Sequence, residues 1–241
     1  MSGSGTLRVT GYNVRGFRSG IDAVVAVVED LAPDVLLLQE TGPRRVLRAF
    51  ARAVGMQLAE DPPSPLRRRV KDAVLVRAPS RIAERRFRRF RDSRPWYPRG
   101  CAIARIDGPG AAPFWAVSVH LGLDGGERGR HVRELLALVD ALEPAGPVVI
   151  GGDLNVTPDA RVVASIGARL PAVTGAGAPT YPASAPTARI DHLFASPALR
   201  VIAETVGAAG AGTASDHLPV TADLERPVDD PGRSATGDRR R

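Results

Sequence analysis

The segment "VVIGGDLNVTP", residues 148–158, decides the fold class. Its apolar start, 148–150, predicts a strand buried on both faces, and two glycines carry the chain on to Asp153 and Asn155. In an extended chain, side chains two positions apart point to the same face. Glycine also lets another group approach the backbone closely. The segment therefore predicts a carboxylate and a carboxamide side by side where a buried strand ends.

Strand and helix patterns alternate on both sides of this segment. Strands are predicted at 7–14, 34–40, 72–77, 82–90, 101–106, 114–120, 147–152, 189–196, 199–206 and 218–224. Helices are predicted at 21–31, around 43–55, at 127–142 and near 159–168. Because βαβ-like units occur in both halves, we expect two similar packed sheets with helices outside, in one domain.

Length and composition set the domain organisation. The 241 residues are 44% hydrophobic, which is ample for a core, and we expect one domain over 6–225. Residues 1–5 are expected to be a flexible start, and 226–241 a disordered basic tail. The sequence contains no run of 18 apolar residues, so no membrane span is predicted. No signal-peptide pattern is visible. With one cysteine, Cys101, no internal disulfide can form, and a cytoplasmic location is expected. The protein is also expected to be a monomer.

The positive charge is local. Of 33 basic residues, all but Lys71 are arginine, so the net charge of +7 reflects codon bias as well as selection. Residues 67–105, however, hold 14 basic and three acidic side chains. Such a cluster is typical of a face that binds anions, and the alternative is a solvated strand–loop surface.

Polar residues recur at other strand ends. These are Asn13, Glu40, His120, Asp191, Asp216 and His217. Each alone is explained by a turn or a helix cap, but strand ends on one edge of a packed sheet converge in space. The oxygen ligands Glu40, Asn13 and Asp216, with Asp153 as a further candidate, suit Mg²⁺ or Mn²⁺. A protonated imidazole that a carboxylate orients, as His217 with Asp191, fits phosphate-ester cleavage.

Six blocks, in this order, carry a resemblance to a known family: "YNVRG", "LLLQET", "SVHL", "GGDLN", "RIDHLF" and "SDHLPV". Together they resemble the endonuclease/exonuclease/phosphatase superfamily, which includes deoxyribonuclease I, exonuclease III-type nucleases, neutral sphingomyelinases and inositol polyphosphate phosphatases. The resemblance covers about 6–225 and implies a four-layer α/β/β/α sandwich, in which two packed mixed sheets carry helices on their outer faces. It also implies a Mg²⁺-dependent hydrolase of phosphate esters.

The resemblance also implies a role for each matching residue. Glu40 is expected as the principal metal ligand, with Asn13 and Asp216 close to the metal directly or through water. Asp153 is expected to orient or deprotonate the attacking water, which Asn155 helps to place. His217, paired with Asp191, is expected to contact the phosphate and stabilise the transition state. His120 is expected to face the phosphate or the leaving group.

Residues outside these blocks are interpreted from their surroundings alone. Arg99 precedes a strand of the same sheet and is a candidate for binding substrate phosphate. Trp96 and Tyr97 beside the basic run either stack on a base or pack under the loop. His131, on the helix at 127–142, is predicted to lie at the surface. His192 points to the opposite strand face from Asp191, which favours a packing or supporting role.

Three functions compete. The first is a nuclease or other phosphodiesterase acting on nucleic acid, favoured by the local charge. The second is a phosphatase or sphingomyelinase-like esterase acting on small or lipid phosphates. Against the inositol phosphatases, "RPWYPRG" lacks their Trp-Cys-Asp-Arg signature, and against repair nucleases the chain leaves little room for insertions that wrap duplex DNA. The third is a non-catalytic binding module, which the six intact blocks disfavour.

Overall fold

Eleven strands and five α-helices form the described part of the chain. The computed structural model describes residues 6–66, 68–91, 93, 95–171 and 177–226. The elements are β1 (Thr6–Asn13), α1 (Ile21–Leu31), β2 (Val35–Gln39), α2 (Arg44–Ala53), β3 (Gln57–Glu60), β4 (Ala73–Val76), β5 (Arg81–Arg89), β6 (Gly100–Gly108), β7 (Ala111–His120), α3 (Gly125–Leu142), β8 (Val148–Asp153), α4 (Arg161–Gly167), β9 (Asp191–Ala195), β10 (Arg200–Val206), α5 (Ala211–Ala214) and β11 (Val220–Glu225). The predictions of a flexible start at 1–5 and a disordered tail concern residues that, apart from Arg226, lie outside the described ones.

The strands form two mixed sheets. The first has the order β10-β11-β1-β2-β4-β3, and the second has the order β5-β6-β7-β8-β9. In the first sheet β1 is parallel to β2 and antiparallel to β11. In the second, β7 is parallel to β8, and β8 is antiparallel to β9. The polar residues that the sequence places at strand ends therefore lie at one edge of each sheet.

Four layers follow from the alternation of side chains along each strand. In β2, Val35 and Leu37 face the second sheet, while Leu36 and Leu38 pack against the helices on the other side. Burying one such leucine contributes about 1.5–3 kcal/mol, so a strand of this pattern is stable only when both faces are covered. The second sheet is covered on its outer face by α3 and α4. The predicted α/β/β/α sandwich is confirmed.

The glycines of the opening segment serve the packing of the strands. A Cβ atom on Gly151 would lie 2.4 Å from Leu193 Cδ2 and 2.7 Å from Leu37 Cδ1, between the two sheets. A Cβ atom on Gly152 would lie 1.8 Å from the carbonyl oxygen of Val119 on the neighbouring β7. The group that approaches this backbone is therefore the protein itself.

The prediction that His131 lies at the surface is wrong. Its side chain is fully buried on α3, and its ring stacks on Phe90 with 4.8 Å between ring centroids. The cause is helical spacing, because His131 lies four residues before Leu135 and therefore belongs to the buried stripe of the helix. Among the described helices, none combines the length and the hydropathy that a membrane crossing requires.

Candidate active site

One row of paired residues crosses the second sheet at its polar edge. His120, the last residue of β7, pairs with Asp153, the last residue of β8. Asp153 in turn pairs with Asp191, the first residue of β9. All three side chains are buried, with at most 4% of each residue exposed. Three groups that are distant in sequence are thus brought together by strand register alone.

The first sheet presents its own polar edge to this row. Asn13 ends β1 and pairs in parallel register with Gln39, the residue before Glu40. Asp216 precedes β11, the other neighbour of β1, and Ser215 donates a hydrogen bond of 2.7 Å from Oγ to the Asn13 carbonyl oxygen. The three predicted oxygen ligands therefore come from three adjacent strands.

Two hydrogen bonds join the sheets beneath the site. Gln39 Nε2 donates to Ser118 Oγ at 2.9 Å, and Ser118 Oγ donates to the carbonyl oxygen of Leu38 at 2.7 Å. All three residues are fully buried, where such bonds are strongly favoured over unpaired groups. They fix the position of β7 against β2 close to the polar edge of the two sheets.

Asp153 lies at the centre of the site. Its Oδ2 accepts a hydrogen bond from Asn13 Nδ2 at 3.0 Å and lies 3.3 Å from His120 Nε2 and 3.7 Å from His217 Nε2. Its Oδ1 accepts the backbone N–H of Asn155 at 2.9 Å. Burial alone would raise the pKa of this carboxyl, but His120, His217 and Asn13 together lower the pKa well below its usual range. Asp153 is therefore anionic at neutral pH.

His217 and Asp191 form a buried pair. His217 Nδ1 lies 2.9 Å and 3.1 Å from the two carboxylate oxygens of Asp191. Burial disfavours the charged imidazole, but the hydrogen bond and charge of Asp191, with the charges of Asp153 and Asp216, raise the pKa of His217 to about 9. The Tyr181 ring, 5.0 Å away between centroids, covers one side of the imidazole. His217 therefore carries a proton at neutral pH, with Nε2 turned toward Asp153.

Asn155 reaches the site by a different route from the predicted one. The strand ends at Asp153, and Asn155 adopts a left-handed backbone conformation with φ of 55°. Its Nδ2 donates to the carbonyl oxygen of Leu121 at 3.1 Å. The extended-strand argument for this residue is wrong, because a turn and not strand alternation sets its side chain. The turn joins the chain after β8 to the chain after β7.

The three predicted oxygen ligands differ in their present partners. Glu40 is half-buried, and the Tyr97 hydroxyl forms a hydrogen bond with its carboxylate. Asp216 Oδ2 lies 3.0 Å from Arg15 Nε. Asn13 Oδ1 accepts the backbone N–H of Arg15 at 3.0 Å, while its amide nitrogen donates to Asp153. Glu40 and Asp216 thus offer full negative charges to a cation, and Asn13 links the two sheets.

A second group of residues also has the composition of a metal site. One ligand atom each of Asp153, Asp191 and His217 lies within 4.8 Å of the others. A metal-bound imidazole must be unprotonated, however, and the pKa of His217 is raised to about 9. Without a metal, His217 is therefore a protonated imidazole between two carboxylates at neutral pH, and a metal ion bound here would have to displace that proton.

A cleft of about 340 Å³ opens beside these residues, lined by Glu40, Tyr97, Arg99, Leu123 and Glu127. We call it the Glu40 cleft. The guanidinium of Arg99 lies 4.8 Å from the Tyr97 ring centroid, and its buried Nη1 has no hydrogen-bond partner among the described residues. A buried guanidinium with an open donor is suited to an anionic ligand. The sequence predicted a site at Arg99 and gave no signal for Glu127.

The two aromatic residues before Arg99 have different environments. Trp96 is 76% exposed, and the Arg68 guanidinium lies 5.9 Å from its ring. Tyr97 is half-buried, with the Lys71 ammonium 4.8 Å from its ring. Packing under the loop therefore describes Tyr97 and not Trp96, which remains available for stacking.

His192 lies on the opposite face of β9 from Asp191 and contacts the turn after β8. His192 Nε2 donates to the carbonyl oxygen of Val156 at 2.8 Å, and burial lowers the pKa of the imidazole to about 4. It supports the turn after β8, as its place on the opposite strand face predicted.

Asp72 is buried beside Ala73 at the start of β4, and burial raises the pKa of its carboxyl well above its usual range despite Arg99 and Arg69 nearby. No sequence motif pointed to Asp72.

The fold and the site together define a phosphoric-ester hydrolase. Two packed sheets place the three predicted oxygen ligands on one edge and an imidazole–carboxylate pair on the facing edge. The sequence profile of the endonuclease/exonuclease/phosphatase family matches residues 11–217, and the chain belongs to this family. Its members are metal-dependent hydrolases of phosphoric esters. No curated protein is significantly similar to the chain in sequence.

Solved structures share the fold at low sequence identity. An endonuclease/exonuclease/phosphatase from Bacteroides vulgatus is 17% identical with a TM-score of 0.76, over 92% of this chain and 99% of that one. The mannosyl-6-phosphatase Bt3783 from Bacteroides thetaiotaomicron is 19% identical with a TM-score of 0.73, over 90% and 99% of the two chains. Truncated TDP2 from Caenorhabditis elegans is 18% identical with a TM-score of 0.71, over 91% and 97%. At this identity the likeness extends to the fold.

Proposed function

We propose that the protein is a Mg²⁺-dependent phosphodiesterase that cleaves nucleic acid. The observation that carries the substrate class is a group of cations around the Glu40 cleft, which we call the cationic rim: Arg68, Arg69, Lys71 and Arg99. The Lys71 ammonium and the Arg99 guanidinium each lie 4.8 Å from the Tyr97 ring centroid, and Arg69 donates to the carbonyl oxygen of Gly42, two residues after Glu40. These charges are therefore close together, as contacts with several phosphates require.

The exposed Trp96 supports the same substrate class. An indole ring at the surface stacks on any nucleobase, because every base has a π face. Arg68 beside the ring adds a cation for the adjoining phosphate. The arginines of β5 contribute less than their number suggests. Arg86 lies 4.6 Å from the Trp115 ring on the helical side of the sheet, and Arg88 pairs with Glu134 of α3.

The donor set fits a hard cation. Glu40 and Asp216 supply carboxylate oxygens and Asn13 an amide oxygen, from adjacent strand ends, and Mg²⁺ is held by few such ligands while it keeps several waters. We assign Glu40 as the principal ligand, with Asp216 and Asn13 close to the ion directly or through water. A bound Mg²⁺ would offset the negative charge on the phosphoryl oxygens. Mn²⁺ has the same ligand preference.

The remaining roles belong to the second sheet. Asp153, held anionic, accepts a hydrogen bond from the attacking water, and its lowered pKa favours orienting the water over removing its proton. Asn155 fixes the turn that places this water. His217, protonated and held by Asp191, donates from Nε2 to a phosphoryl oxygen as charge develops there. His120 faces the phosphate or the leaving group, and Arg99 binds a substrate phosphate.

A phosphatase acting on small phosphomonoesters is the second candidate. The solved structure of a mannosyl-6-phosphatase has the same four-layer fold, so this fold accommodates a sugar phosphate. The test is a substrate panel with Mg²⁺: single-stranded DNA, supercoiled plasmid, RNA, mannose 6-phosphate, inositol phosphates and sphingomyelin. Cleavage of nucleic acid that the Asp153→Asn variant abolishes supports the proposal. Turnover of a monoester or a lipid alone moves the assignment to the second candidate.

A further inference from the structure

Glu127 is a largely buried side chain whose carboxylate opens into the Glu40 cleft and accepts no hydrogen bond from the described residues. It lies in the first turn of α3, only 7% exposed, and lines the Glu40 cleft. Within the described part of the chain no hydrogen bond reaches its carboxylate. The nearest basic atom is His131 Nε2, 3.8 Å from Oε1, which is too far for a hydrogen bond. Burial lowers the pKa of His131, so this imidazole is neutral at neutral pH and gives no compensating charge.

Helix capping does not explain this position. In a capping box, the glutamate three residues after the cap reaches back to the backbone N–H of the cap residue. Asp124 does cap α3, since its Oδ1 accepts the Glu127 N–H at 3.0 Å. The Glu127 carboxylate instead lies against Gly122, where a Cβ atom would be 2.2 Å from both Cδ and Oε2. The absence of a side chain at residue 122 is therefore what lets Glu127 face the cleft.

The loop under Glu127 is held next to the reacting groups. The N–H of Leu121 donates to the carbonyl oxygen of Asp153 at 3.0 Å, and the Leu121 carbonyl accepts from Asn155. Arg128 Nη1 donates to the carbonyl oxygens of Gly122, at 3.3 Å, and of Leu123. A ligand that bonds Glu127 therefore lies next to the loop that is hydrogen-bonded to Asp153 and Asn155.

The cleft limits which group satisfies this carboxylate. A ligand that fills the cleft displaces the water that would otherwise solvate this carboxylate, so the ligand must bring hydrogen-bond donors of its own. The Leu123 side chain, 64% exposed, gives an apolar surface at the same wall. A volume of about 340 Å³ fits a small ring system. A nucleobase with an exocyclic amino group has a flat ring face and hydrogen-bond donors on one edge. Carboxylates accept hydrogen bonds from the amino group of cytosine in this way.

We propose that Glu127 selects the nucleobase beside the scissile phosphate, accepting a hydrogen bond from its exocyclic amino group while Leu123 contacts the ring face. This proposal rests on the proposed function. It adds a base preference to an activity whose other contacts, to phosphate and metal, are independent of sequence. Cytosine satisfies the carboxylate, whereas thymine presents a carbonyl oxygen at the same position and leaves it unpaired.

The test compares single-stranded oligo(dC) and oligo(dT) of equal length with Mg²⁺ at slightly alkaline pH. Wild-type kcat/KM should favour oligo(dC) by about tenfold. Glu127→Gln removes the charge, and Gly122→Ala keeps the charge but displaces the carboxylate; both should bring the ratio close to one. Glu134→Gln, about two turns further along α3 and outside the cleft, is the matched control and should keep the wild-type ratio. Circular dichroism and thermal unfolding check that each variant folds.

The ratio separates this proposal from the assignment of function. If both oligonucleotides are cleaved and Glu127→Gln keeps the wild-type ratio, or the wild type shows no preference, the role of Glu127 is overturned while the nuclease function stands. If neither oligonucleotide is cleaved and a phosphomonoester is, the nucleic-acid function has failed and the base preference with it. Loss of the preference in both Glu127→Gln and Gly122→Ala, with Glu134→Gln unchanged, supports the proposal.

Discussion

Replacing Asp191 with asparagine should move the pH range over which the enzyme works. The change keeps the shape of the side chain but removes the charge that His217 Nδ1 contacts at 2.9 Å. A free histidine has a pKa of about 6.5. The pKa of about 9 for His217 therefore corresponds to about 3 kcal/mol in favour of the protonated form, at 1.36 kcal/mol for each pKa unit. The hydrogen bond and charge of Asp191 are the largest contributions that oppose burial.

Without that carboxylate, the pKa of His217 should fall to about 6.5 or below, since burial continues to disfavour the charge. At pH 7.5 only about one molecule in ten would then carry the proton. We expect turnover to fall at least about tenfold at that pH and to recover partly as the pH is lowered. In the wild type, turnover should persist up to about pH 9 and decline above it.

The folding stability should also depend on pH through the protonation of His217, and the raised pKa determines the direction of that dependence. Because the folded-state pKa of His217 is raised, its contribution is fully present below about pH 6.5 and is lost as the pH rises through about 9. The assays are kcat against pH, an NMR titration of the His217 ring, and urea unfolding at both ends of this window. Asp223→Asn, which removes the partner of Arg8 on β11, is the control. A decline of turnover at the same pH in wild type and Asp191→Asn would refute the reasoning.

Three further predictions test the metal, the water and the cationic rim. Glu40→Gln should raise the Mg²⁺ concentration needed for half-maximal turnover at least about tenfold, whereas the exposed Glu29→Gln should not, and EDTA should abolish wild-type turnover. Turnover that survives EDTA would exclude a metal. Asp153→Asn should lower kcat at least about a hundredfold without changing the circular dichroism spectrum, and near-normal kcat would remove it from the mechanism. Lys71→Gln should reduce the slope of log(kcat/KM) against log[salt] on single-stranded DNA by about 0.7, and Arg86→Gln should leave it unchanged. Equal slopes would remove the cationic rim from substrate binding.

The fold was predictable because its strands carry strong local patterns. The runs at 34–40 and 148–150 are too apolar for a surface position and too short for buried helices, so both predict strands covered on both faces. The repeated polar residues after such strands then predicted a shared edge. What the sequence lacks is strand register, which alone aligns His120, Asp153 and Asp191 across three strands.

Residues whose role depends on a distant partner were not predictable. His131 was expected at the surface although its spacing from Leu135 places it on the buried stripe of α3, and the Phe90 ring that covers it comes from a distant segment. Glu127 has the pattern of a helix cap, and its place in the cleft depends on a glycine in the preceding loop. Asp72 follows no motif, and its environment is formed by Arg99 and Arg69 from other segments.

The site exists only where the two sheets are packed in register, which couples its chemistry to the core. Asn13 belongs to the first sheet and Asp153 to the second, and the 3.0 Å hydrogen bond between them crosses the interface. That bond helps to keep the Asp153 carboxyl ionised. The separation of the sheets at this point is set by Gly151, whose missing side chain leaves space for Leu37 and Leu193. Any residue larger than glycine there must move the methyl groups of these leucines or push the sheets apart, and a wider separation of the sheets would lengthen the Asn13–Asp153 hydrogen bond. Gly151, two residues before Asp153, therefore links the packing of the two sheets to the electrostatics of that carboxylate.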